Sequence, residues 1–123
     1  MKNNGSTVKV EITDKFPGDI DQLLSRIFWR DKELVPLAHE FLDTIKEWSR
    51  SGSPYGVDQW DNYCLKKKIT QSTYHNMLKR LKRTGMIEKK YNKTRSLHEL
   101  YISDRFSDYV KEMGSLWDDF RSR

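Results

Sequence analysis

Cysteine is almost missing from this chain of 123 residues; Cys64 stands alone. A single thiol excludes an internal disulfide framework and suits a reducing interior. Long apolar runs are missing too. No stretch approaches the roughly 18 apolar residues that a membrane span needs. Residues 1–6 have no apolar run behind their lysine, so they read as a short disordered tip rather than a signal peptide. These absences predict a soluble, cytoplasmic chain with no membrane partner. Catalytic patterns are equally scarce: no nucleophile–base pair, phosphate-cradling loop or facing carboxylates stand out, which predicts no enzyme. His39, His98 and Cys64 lack the spacing of metal ligands, so neither metal nor cofactor is expected.

The most informative deficit is of acid. Residues 66–95 contain eleven of the 23 Lys and Arg residues but one carboxylate, Glu88, while the whole chain is only +5. Ordinary surfaces mix both signs. A block of one sign is the electrostatic footprint expected of a nucleic-acid binder.

Apolar content is low at 36%, but four Trp, six Tyr and five Phe offset it, because each ring buries a large area. The length suits one domain, over 7–123, with a modest core. Residues 7–13 alternate, with Val8, Val10 and Ile12 on one side, and predict a short strand. Asp19 is placed to cap a helix carrying Ile20, Leu23, Leu24, Ile27 and Phe28; with the strand it forms an N-terminal extension, 7–30. A second helix is predicted from about Glu33 to Arg50, with Pro36 in its first turn. Ser51-Gly52-Ser53-Pro54-Tyr55-Gly56 is the densest turn signal. The class expected is mainly α with a small β-hairpin (α+β).

Within the basic block, Val57, Trp60, Tyr63 and Cys64 give a short helix its apolar face. Ile69 plugs the following turn, and Thr70 is placed to cap a helix over 71–84 that Gly85 closes. Tyr74, Met77, Leu78 and Leu81 share one side of that helix as core. The other side presents Gln71, Ser72, His75 and Asn76 near the N-terminus, where side chains can read base edges. Lys79, Arg80 and Arg83 follow, where cations meet phosphates. Met86 to Tyr91 and Leu97 to Ser103 predict two strands, with Ile87, Leu100 and Ile102 packing inward. Lys89, Lys90, Lys93 and Arg95 surround the hairpin tip as further DNA-contacting cations.

Ile69-Thr70-Gln71-Ser72-Thr73-Tyr74, Met77-Leu78-Lys79-Arg80-Leu81 and Gly85-Met86-Ile87 resemble the helix-turn-helix of MarR-type winged-helix transcription regulators. The resemblance covers roughly 57–103, with Lys68 replacing the usual small residue of the turn. It implies a winged helix-turn-helix with extra terminal helices, a recognition helix over 71–84, and a dimer on double-stranded DNA.

The final helix, 104–120, carries Phe106, Val110, Met113, Trp117 and Phe120 at heptad spacing, widened by Tyr109 and Leu116. Seven large apolar residues exceed what so small a domain needs, which predicts a homodimer interface. The leading expectation is a sequence-specific transcription regulator. A plasmid or viral replication or partition protein, or a winged-helix protein-interaction module, are the competing readings.

Overall fold

The computed structural model describes residues 8–9 and 15–123. Among them the chain forms five α-helices and one three-stranded antiparallel sheet, the α+β class expected. The tip expected over 1–6 lies outside the described residues, as does most of the strand expected over 7–13. Of that stretch Val8 packs against the core, and the Lys9 N–H donates to the Arg26 carbonyl at 2.8 Å.

Local chemistry sets the helix starts. Helix α1 (Ile20–Ile27) is capped by Asp19, whose carboxylate accepts from the Gln22 N–H at 2.8 Å, while the Gln22 side chain accepts from the Gly18 N–H at 2.6 Å. This reciprocal arrangement satisfies two otherwise orphan donors. A 3₁₀ turn, Lys32–Leu34, leads into α2 (Val35–Arg50), so the helix begins slightly later than the expected Glu33, with Pro36 in its first turn. A further 3₁₀ turn, Val57–Gln59, precedes α3 (Trp60–Lys67). Helix α4 (Gln71–Arg83) starts at Thr70, whose hydroxyl accepts from the Thr73 N–H at 3.1 Å.

Strands β2 (Ile87–Asn92) and β3 (Leu97–Ile102) form the expected hairpin, in register from Ile87 opposite Ile102 to Asn92 opposite Leu97. The stretch expected to be only a turn supplies β1 (Tyr55–Gly56), which pairs with β3 and gives the strand order β1-β3-β2. Two residues carry no period, so this strand exists only because β3 offers an open edge. Ile102 is a correction. It lies 43% exposed although it shares the face of Ile87 and Leu100, because it ends β3 at the margin of the core. Gly85, at φ +82°, closes α4 and lets the start of the last helix approach: an added Cβ would lie 3.1 Å from the Phe106 backbone nitrogen.

The core centres on Phe41 of α2. Its ring meets Tyr55, Tyr63 and Tyr74 edge-on at 5.4, 5.2 and 5.6 Å, joining α2, β1, α3 and α4. The buried hydroxyls of Tyr55 and Tyr74 bond at 2.9 Å. Helix α5 (Arg105–Arg121) is different. Phe106 packs partly on the core, whereas Tyr109, Val110, Met113, Leu116, Trp117 and Phe120 are 46–67% exposed. Among the described residues no helix is long and apolar enough to cross a membrane.

Candidate nucleic-acid interface

Helix α4 separates its residues by angle. Tyr74, Met77 and Leu81 are buried, and Leu78 packs partly on the core. Gln71, Ser72, His75, Lys79 and Arg83 are exposed along the opposite side, and Asn76 is half-buried at its margin. Gln71 and His75 touch through their side-chain nitrogens at 3.4 Å, and the His75 ring lies 6.2 Å from that of Trp60. Polar groups therefore occupy the N-terminal turns and cations the later ones. No acid interrupts the helix.

Two cations expected on the DNA-facing surface turn inward instead. Arg80 is only 6% exposed: its guanidinium bonds Asp31 at 2.5 Å and lies 5.3 Å from the Phe28 ring centroid. Helical rotation carries it to the core flank, where Asp31 supplies the charge that a buried guanidinium requires. Arg95 folds back from the hairpin turn to the buried Glu99 carboxylate at 2.9 Å, and also donates to the Pro54 carbonyl at 3.4 Å. It closes a clamp. Asn92 donates to the same carboxylate at 3.1 Å, and the Tyr101 hydroxyl donates to it at 2.8 Å. These bonds, that of Tyr101 foremost, hold the Glu99 carboxyl below its usual range against the opposing effect of burial.

Strand alternation divides the remaining wing cations. Lys89 pairs opposite Leu100, on the sheet face toward the core, while Lys90 pairs opposite Glu99, on the other face. Lys90 lies over the Tyr101 ring at 5.1 Å and 3.9 Å from the Glu88 carboxylate. Lys93 stays exposed in the turn.

Three residues outside those expected from the sequence join the site. Tyr91, 54% exposed, sits opposite His98 with ring centroids 5.0 Å apart, on the same face as Lys89. Period-two alternation carries the signal for this pair, because it continues the Ile87–Leu100 face beyond the end of the core. Lys82 is half-buried, and burial, followed by the nearby Lys89 charge, lowers its pKa. Among the described residues no group of three or more His, Cys, Asp or Glu side chains converges as metal ligands would. Cys64 is buried, and burial pushes its thiol pKa up.

Comparison with protein families matches residues 18–120 to an archaeal family, a span running from the cap of α1 through most of α5. No curated protein and no solved structure matches.

Proposed function

We propose that this chain, which belongs to that archaeal family, is a homodimeric, sequence-specific double-stranded DNA-binding regulator of transcription. In this reading residues 57–103 hold the helix-turn-helix and wing of a winged-helix domain, with α4 in the major groove and the β2–β3 hairpin against the backbone or minor groove. The observation that carries it is the exposed side of α4. Gln71, Ser72 and His75 face outward in the first turns, Lys79 and Arg83 follow, and no carboxylate lies among them. Hydrogen-bonding groups at the entering end and cations further along match what a groove and its flanking phosphates require. The element order α2, β1, α3, α4, β2, β3 supports the winged-helix reading. The single buried thiol suits a cytoplasmic setting.

A second copy is the occupant proposed for the apolar side of α5. Six large side chains exposed in one stripe exceed the scatter normal for a monomer surface. Their spacing is self-complementary. Antiparallel pairing about Met113 sets Val110 against Trp117, and Phe106 against Phe120, of the second copy.

Selection of bound duplexes from a random pool, followed by salt titration, tests the function. A dimer neutralising about three to five phosphates per protomer gives a log–log slope of roughly −5 to −9. Gln71→Ala relaxes base preference and costs about 1–3 kcal/mol on the selected site. Lys93→Ala weakens binding to every sequence and makes the slope shallower by about one for each phosphate no longer neutralised. Absence of duplex binding at low salt removes the proposal.

A further inference from the structure

Charges of both signs alternate through the first 50 residues, but among the described residues folding gathers each sign separately. Asp21, Glu40 and Asp43 gather around His39 in one groove between α1 and α2. Beyond Ser25 and Lys32, which border both, lies a groove of about 310 Å³ lined by Lys9, Lys15, Arg26, Trp29 and Lys32. Among the described residues no carboxylate lines it.

This patch has internal structure. The Arg26 guanidinium donates to the carbonyls of Lys9 at 3.5 Å and Lys15 at 2.8 Å, which ties those two residues to α1. The Arg30 guanidinium lies 4.6 Å, and the Lys9 ammonium 5.6 Å, from the centre of the Trp29 ring. Attraction to the ring's π-electrons offsets part of the repulsion between such neighbours. With cations over it, Trp29 is a support for charge rather than a platform for stacking bases. Phosphate is the matching ligand.

Its place in the fold identifies which phosphate. Phe28 and Asp31, on either side of Trp29 and Arg30 in the chain, are the two residues that hold Arg80 of α4. On α4, Arg80 and Lys82 point about 200° apart at 100° per residue, and Lys82 is the neighbour of Lys89 in β2. The exposed line Gln71, His75, Lys79 and Arg83 therefore runs between the hairpin on one flank and the Trp29 corner on the other. A helix lying in the major groove has a sugar-phosphate backbone on each side. We infer that the corner formed by Trp29, Arg30 and Lys32 with Lys15 is a second phosphate-binding site. It grips the backbone of the same duplex on the side of α4 opposite the hairpin.

The inference rests on α4 being the groove-entering helix, and the test separates the two. Wild-type chain and the Arg30→Ala/Lys32→Ala double variant are titrated with salt on the selected duplex. Neither side chain is buried, and circular dichroism checks that the variant is folded. The expected result is a slope shallower by about 0.9 for each phosphate that the dimer no longer neutralises, weaker binding to all sequences and unchanged base preference. Arg30→Lys/Lys32→Arg, which keeps the charge, retains the wild-type slope. A wild-type slope in the alanine variant, or an altered base preference, overturns the corner site while leaving α4 in place. A wild-type chain that binds no duplex overturns both.

Discussion

At the scale of single residues, similar cations meet different fates. Lys79 and Arg80 are neighbours in sequence, yet one is exposed and the other is buried against Asp31 and Phe28. Arg80→Ala is therefore a stability variant. It leaves Asp31 without its partner and Phe28 without its cover, at a cost of about 2–3 kcal/mol. Urea denaturation measures that loss, and base preference per folded molecule stays as in wild type. Glu99 provides the pH-dependent case. Its folded pKa is depressed, chiefly by the Tyr101 hydroxyl. The stability it contributes is thus complete above the ordinary glutamate pKa of about 4.3 and disappears as pH falls through the lower folded value. Glu99→Gln is expected to melt below wild type at pH 7, with the two midpoints converging as the medium is acidified. A gap independent of pH would mean that the clamp does not depend on ionisation.

At the scale of elements, the joint between α3 and α4 carries a local conflict. Lys68 ends α3 in the left-handed conformation, φ 58° and ψ 48°, which a side chain disfavours. The Ile69 N–H to Cys64 carbonyl bond, 3.1 Å, and the start of α4 at Thr70 hold it there. Lys68→Gly relieves the steric cost while adding entropy to the unfolded chain, so a net gain of about 0.5–1 kcal/mol is expected from thermal unfolding. The hairpin presents the opposite situation. Its turn is braced by Arg95 and Asn92 on the Glu99 carboxylate, so Lys89 and Lys93 project from a fixed base. The caps of α1 and α4 show how much of an element local chemistry can specify: Asp19 and Thr70 each accept the expected N–H.

At the scale of the whole molecule, α5 separates folding from assembly. Among the described residues the core extends as far as Phe106, and the remaining apolar stripe makes no part of it. Met113→Glu/Trp117→Glu is accordingly expected to leave a folded domain whose mass by sedimentation at micromolar concentration is that of one chain, where wild type shows two. In the proposed dimer each large side chain buried along α5 contributes about 1.5–3 kcal/mol. Tight binding to a two-half-site duplex disappears with the pairing, because one half-site supplies too little affinity. A wild-type monomer with intact specific affinity would exclude α5 as the dimer interface.

The caps, the break at residues 51–56, the apolar sides of α2 and α4 and the two long strands are legible in the chain, because each is a local pattern with a fixed period or a required turn residue. Heptad spacing likewise marks the apolar stripe of α5. The destinations of charged side chains are not legible. Arg80 and Arg95 resemble their neighbours in composition, and the carboxylates that capture them, Asp31 and Glu99, lie at positions only folding brings close or aims inward. Strand β1 is too short to carry a period and depends on the open edge of β3. The Trp29 corner draws on Lys15, Trp29, Arg30 and Lys32 in a segment of mixed charge, so its sign becomes visible only once folding brings these described residues together. Periodicity is a property of the chain; electrostatic partnership is a property of proximity, and the fold supplies proximity.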